Sequence, residues 1–195
     1  MIVFASNNQG KIRELDSLFV GSKHQISTVN NVDIKAIEVE ENGSTFAENA
    51  ALKALAYSQK YSIPALADDS GLEVQALNGA PGVASNRWFE GSDNDRNNAL
   101  LDLLRNQENR SAKFTTVACL HYPETRNLHF FKGVVPGIIA KSPSGNKGFG
   151  YDPIFIPSGY DQTFANLGSE IKNSLSHRAR AFEQVKQFLD DYDKK

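Results

Sequence analysis

Ala67-Asp68-Asp69-Ser70-Gly71 follows the apolar approach Ile63-Pro64-Ala65-Leu66 and sets two adjacent carboxylates beside a hydroxyl and a glycine. That composition suits an exposed strand end better than a core. Side chains alternate across a strand, so only one of the two acids can face a given side. A carboxylate at a strand tip, with a small residue beyond it, can hold a hard cation or take a proton from water. Asp, Ser and Gly are also ordinary turn formers, so the neighbouring sequence has to decide between a turn and a site.

Upstream, Thr45-Phe46-Ala47-Glu48 has the form of a capping box that opens an alanine-rich helix to about residue 61. Asn49 and Lys53 lie four apart and share a face of that helix. The acidic pair Glu40-Glu41 precedes it, and these acids and Lys53 can look into one cleft. Taken singly, they also fit a solvated acidic loop and a surface lysine.

At the N-terminus the apolar stretch 2–5 predicts a strand, and Ile12, Leu15, Leu18 and Phe19 mark the stripe of a helix over 11–19. The junction Ser6-Asn7-Asn8-Gln9-Gly10-Lys11 feeds a helix N-terminus, where free N–H groups and Ser, Asn and Lys donors suit a phosphate. It also fits a plain Asn cap beside a surface lysine, and it is not a Walker loop. A further strand is expected near 25–29.

Beyond the aspartates, Asn78-Gly79-Ala80-Pro81-Gly82 predicts a turn cluster. Asp93 is expected to cap a helix to about Leu104, with Ala99, Leu100, Leu103 and Leu104 as its buried stripe. Strands 112–122 and 127–135 form a hairpin through Pro123-Glu124-Thr125-Arg126. The loop 141–152 places Phe149 and Tyr151 among Gly148, Gly150 and Asp152, where the rings either pin the loop to the core or offer a face to a planar base. In the last helix Ser176 is the expected cap, and Ala181, Phe182, Val185, Phe188 and Leu189 its buried stripe. His177, Arg178 and Arg180 then fall in the first turns. Cations there oppose the helix dipole, which points to a ligand-facing role, with Lys172 adding charge nearby.

With 195 residues, 40% hydrophobic and 23% charged, the chain has the makeup of a soluble globular protein with one core or two lobes on a shared sheet. A formal charge of −2 gives no general attraction for a nucleic-acid polymer or an acidic bilayer, so small ligands are the expected partners. One cysteine, Cys119, rules out an intramolecular disulfide and fits a reducing cytoplasm. The longest apolar run, 134–140, is broken by Pro136 and Gly137, and neither export nor a membrane span is expected. His24, His121, His129 and His177 show no metal-ligand spacing.

Six segments, taken in order, resemble the inosine triphosphate pyrophosphatase family: Ser6-x-Asn8-x-x-Lys11, Glu40-Glu41-x-Gly43-x-Thr45-Phe46-x-Glu48-Asn49-Ala50-x-x-Lys53-Ala54, Ala67-Asp68-Asp69-Ser70-Gly71-Leu72, Gly79-Ala80-Pro81-Gly82, Gly148-Phe149-Gly150-Tyr151-Asp152-Pro153 and Ser176-His177-Arg178. Where family members often read Tyr-Ser-Ala-Arg-Tyr, this chain has Ala84-Ser85-Asn86-Arg87-Trp88. The resemblance implies a single α/β domain over 1–195. Its elongated mixed sheet is flanked by helices, and its two lobes surround a central substrate cleft. It also implies Mg²⁺ dependence, a homodimer, and hydrolysis of ITP, dITP and XTP to the monophosphate and pyrophosphate. A non-catalytic nucleotide sensor, or a pyrophosphatase for other modified nucleotides, is the alternative.

On that resemblance Glu40, Glu41 and Asp69 are the expected metal ligands, and Asp69 and Lys53 the catalytic pair. Substrate contacts are expected from Ser6, Asn7, Asn8, Gln9, Gly10, Lys11, Ser70, Phe149, Gly150, Tyr151, Asp152, Lys172, His177 and Arg178. Asp69 is the aspartate expected to face the cleft; Asp68, on the other side of the strand, is expected to accept from backbone donors.

Overall fold

The computed structural model describes residues 1–32, 34–125 and 127–192. A six-stranded mixed sheet runs in the order β2-β1-β3-β4-β5-β6. Its strands are β1 (Ile2–Phe4), β2 (Ile26–Thr28), β3 (Ala65–Val74), β4 (Ser111–His121), β5 (Leu128–Ile139) and β6 (Phe155–Pro157). The helices are α1 (Gln9–Phe19), α2 (Phe46–Tyr61), α3 (Asp93–Leu103), α4 (Phe164–Leu175) and α5 (His177–Tyr192). The mixed α/β class expected from the sequence is the one observed. The chain divides into two compact units, one of Met1–Asp69, Thr116–Gly133 and Arg178–Lys195, the other of Ser70–Thr115 and Val134–His177.

In the first unit β1 pairs in parallel with both β2 and β3, which α1 and α2 make possible as crossovers. Strand alternation sorts the apolar residues into two cores. Phe4, Leu66, Ala118 and Leu120 pack with Leu15 of α1 and with Ala181, Phe182, Val185 and Leu189 of α5. On the opposite face Val3, Ala5, Ala65, Ala67 and Cys119 pack with Ala50, Ala54 and Tyr57 of α2. Each fully buried Leu or Phe here contributes about 1.5–3 kcal/mol from water exclusion. Burial pushes the Cys119 thiol up to about 12, so it is an inert core residue.

The second unit has its own core, in which Leu72, Val74, Leu100, Leu104, Val135 and Ile139 surround an aromatic cluster. The Phe114 and Phe155 centroids lie 4.7 Å apart, and those of Phe155 and Phe164 5.4 Å. Strand β6 runs antiparallel to β5, with Gly137 opposite Pro157. A Cβ at Gly137 would collide with the Ile156 carbonyl, so this close approach requires glycine.

Three expectations need correction. The Asp-Asp stretch is not a strand tip: β3 continues through it to Val74, because both carboxylates find cationic or amide partners inside the fold. Ser92, not Asp93, caps α3, since its hydroxyl accepts from Asp95 N while Asp95 reaches back in a full capping box. The buried stripe of α3 is Asn97, Leu100 and Leu104; Leu103 is 54% exposed, because the stripe follows the 3.6-residue period from 97 and leaves 103 on the outer side. The hairpin between β4 and β5 is placed as expected, although Arg126 of its link lies outside the described residues.

Candidate active site

The Thr45 capping box forms as the sequence predicts: Thr45 accepts from Glu48 N and the Glu48 carboxylate accepts from Thr45 N. It fixes the rotation of α2, which turns Asn49 and Lys53 toward β3. Asn49 Nδ2 donates to Asp69 Oδ2 at 3.0 Å. Lys53 Nζ lies 2.6 Å from Glu41 Oε2 and 3.9 Å from Asp69 Oδ1. Two carboxylates distant in sequence thus share one ammonium. Glu40, one residue away, is exposed.

Asp69 is only 5% exposed. Burial raises its pKa above the ordinary carboxylate value, and Lys53, Lys11 and the Asn49 hydrogen bond pull it partly back. The group is therefore a stronger base than a surface aspartate and remains within the field of two cations.

Asp68 points the other way, as alternation requires, and takes two side-chain cations as partners. Lys11 Nζ lies 3.0 Å and Arg178 Nε 3.2 Å from Asp68 Oδ2, and Arg178 Nη1 donates to Glu14. The reason is local: the two buried cations of α1 and α5 converge on this carboxylate, and a charged pair is the cheaper way to bury each of them. Burial works against the Arg178 charge, yet Glu14 and Asp68 hold its pKa above the ordinary arginine value. Burial lowers the pKa of Lys11, Asp68 opposes this, and Lys53 and Arg178 add to the lowering.

Asn8 caps α1, its Oδ1 accepting from Lys11 N at 3.1 Å, and Ser6 Oγ accepts from Asn8 N at 3.3 Å. Asn7, Asn8 and Gln9 are exposed, whereas Gly10 and Lys11 are buried. The cap and the donor-rich junction thus coexist, and Lys11 is not a surface lysine.

In the second unit the loop 148–152 is braced at every residue from Phe149 to Asp152. Phe149 N donates to Asp152 Oδ2 at 2.9 Å, and Lys172 Nζ donates to the same oxygen at 2.5 Å while lying 4.5 Å from the Phe149 ring centroid. Tyr151 is the ring that pins the loop: its hydroxyl donates to Ser85 O at 2.7 Å and accepts from Trp88 Nε1, and burial pushes its pKa up to about 12. Phe149 remains half-buried. His177 stacks on Phe114 with centroids 4.7 Å apart, and Ser70 follows Asp69 on β3 as a half-buried hydroxyl.

The structure brings Glu41, Lys53, Asp69 and Lys11 together in the first unit, and Phe149, Asp152 and Lys172 together in the second. Among the described residues no three His, Cys, Asp or Glu side chains converge closely enough to hold a metal by themselves. Sequence reasoning missed Glu14, a charged residue that turns inward on an otherwise ordinary amphipathic helix, and Asn97, whose place on the α3 stripe was the available signal.

The Ham1 family model matches residues 2–188. A dITP/XTP pyrophosphatase of Aquifex aeolicus is 43% identical over 204 residues, covering 99% of this chain and 98% of the relative. The Ham1 protein of Staphylococcus aureus superposes with a TM-score of 0.85 at 41% identity, covering 98% of both chains, and that of Coxiella burnetii with 0.87 at 38%, covering 97% of this chain and 98% of the other. The resemblance seen in the six motifs is therefore borne out from end to end, and the chain belongs to the Ham1 family.

Proposed function

We propose that this chain is a nucleoside triphosphate pyrophosphatase that hydrolyses deaminated purine nucleotides, dITP, ITP and XTP, to the monophosphate and pyrophosphate. The observation that carries this reading is the convergence of Glu41 and Asp69 on the Lys53 ammonium, beside Lys11, in a chain of this family. Water attacks phosphorus, the α–β phosphoanhydride bond breaks, and pyrophosphate leaves. Asp69 accepts the proton of the attacking water; Asn49 holds one carboxylate oxygen and orients the other. Lys53 and Lys11 balance the charge of the triphosphate, about four negative charges at neutral pH, and the N–H groups at Ser6 to Gly10 together with the Ser70 hydroxyl bond its oxygens.

Mg²⁺ is the cofactor we assign. The donor set suits it, since Glu41 and Asp69 already share one cation, and Mg²⁺ is commonly held by one or two carboxylates with substrate phosphates completing its oxygen shell. Glu40 adjoins Glu41 in the chain and is exposed, and we assign it as a further acid for the ion. When bound, the ion would neutralise phosphate charge and make a water easier to deprotonate.

We assign the base to Phe149 as its stacking face, with Gly150, Tyr151, Asp152 and Lys172 shaping that loop. His177 and Arg178 serve as donors for the oxygen at purine position 6. The bonds of Nε and Nη1 to Asp68 and Glu14 fix the plane of the Arg178 guanidinium. Adenine presents an amino donor at that position and would leave donors unmatched, a mismatch that can discriminate by about 10⁴-fold or more. A homodimer in the cytoplasm is also part of this reading, supported by the family resemblance and testable by light scattering.

One assay tests the proposal: a panel of nucleotides with Mg²⁺, scored for both binding and pyrophosphate release. Release from dITP, ITP and XTP far above ATP, abolished by a chelator, is expected. Binding without release would make the protein a sensor, and preferential release from altered pyrimidine nucleotides would move it to another substrate class.

A further inference from the structure

Two side chains outside all six motifs hold the peptide next to Phe149. Asp93 Oδ2 accepts from Gly150 N at 2.7 Å, and Asn97 Nδ2 donates to Gly150 O at 3.0 Å. Both backbone groups of one residue are thus bonded to successive turns of α3, at a glycine with φ of 61°. Any other residue would be strained in that conformation.

The two side chains are themselves fixed. Asp93 Oδ1 accepts from Arg96 Nη2 at 2.6 Å, and Arg96 Nη1 donates to Gly91 O at 2.8 Å. Asn97 is 1% exposed and occupies a core position of α3. Its Oδ1 is buried without a hydrogen-bond partner among the described residues. Packing alone does not account for an amide kept at such a position, because an unmet buried acceptor is destabilising; the bond to Gly150 does.

On the other side of Phe149 the brace is the Asp152 carboxylate, which accepts from Phe149 N and from Lys172. The ring therefore hangs between two anchored points, one set by Asp152 and one by α3.

We infer that Asp93 and Asn97 are positioning residues that set the orientation of Phe149 and, through it, the affinity for the nucleotide base. This inference rests on the assignment of Phe149 as the stacking face. A base seated on a mis-set ring loses stacking without a change at the Asp69 carboxylate, so the effect falls on KM rather than on kcat.

The test is a double-mutant cycle on the full-length, Mg²⁺-loaded protein with dITP, comparing wild type with Asp93→Ala, Asp93→Asn, Asn97→Ala, Phe149→Ala and the combination of Asp93→Ala with Phe149→Ala. Loss of base–aromatic stacking predicts that KM rises about tenfold in Asp93→Ala and in Asn97→Ala, with kcat within about threefold of wild type. Asp93→Asn retains one acceptor oxygen for Gly150 N but turns its amide N–H toward Arg96, so its KM should fall between those of wild type and Asp93→Ala. In the Phe149→Ala background Asp93→Ala should add nothing, because the two act through one ring. An unchanged KM in Asp93→Ala, a cost that adds in full to that of Phe149→Ala, or an Asp93→Asn enzyme as impaired as Asp93→Ala would each overturn the inference. If Asp93→Ala does not fold, the same cycle with Asn97→Ala decides. A Phe149→Ala enzyme with unchanged KM would overturn the stacking assignment itself, and the positioning inference with it.

Discussion

The two faces of β3 carry the same functional group one residue apart and put it to different uses. Asp68 faces a buried network in which Lys11 and Arg178 share its charge and Glu14 takes the other side of Arg178. Asp69 faces an amide, a shared ammonium and a second carboxylate, and burial drives its pKa up. A carboxylate between two buried cations is fixed in place. One that is buried with incomplete compensation is easier to protonate and so better able to take a proton. The environment, not the residue type, separates framework from chemistry.

The largest expected effect that sharpens this contrast comes from Asp69→Asn. Loss of a general base predicts a fall in turnover of about 10²–10⁴-fold, read by pyrophosphate release, with dITP binding retained. The stability of the same variant has a definite sign. Because folding raises the Asp69 pKa, its contribution to stability is full below the unfolded value and is lost as pH rises through the folded one. Asp69→Asn should therefore be at least as stable as wild type at neutral pH, an advantage that disappears on acidification in urea titrations.

On the other face Asp68→Ala strands Arg178 and Lys11 in the interior and should cost about 3–5 kcal/mol of unfolding free energy, measured by urea denaturation. An equal loss of stability from both aspartate variants would erase the distinction between the faces. A smaller effect is expected from Lys53→Met. Since Lys53 lowers the Asp69 pKa, removing it should shift the acidic limb of the pH–rate profile to higher pH, and a shift to lower pH would contradict the pairing. The mildest effect is that of Thr45→Ala, which removes the α2 cap that aims Asn49 and Lys53; about 1 kcal/mol of stability should be lost, read from the urea midpoint.

Features that depend on near neighbours in the chain are legible in the amino-acid sequence. The Thr45 box, the stripe of α1 and the opposite facing of Asp68 and Asp69 follow from helix and strand periods, which act over a few residues. The cap of α3 is ambiguous by one residue because Ser92 and Asp93 are both good caps, and only the return bond of Asp95 chooses between them. The Asp-Asp stretch reads as a strand tip because two adjacent acids suit no core on their own.

Local sequence thus fixes most of the secondary-structure frame, the family, and which acids and cations are available. Three-dimensional packing alone places the aspartates inside a ten-residue strand, buries Lys11 and Arg178 against Asp68, and brings Asp69 to Lys53 and Glu41. The physical reason is range. Periodicity and capping are written in neighbouring residues, whereas the cost of burying a charge depends on partners brought from as far as 164 positions along the chain.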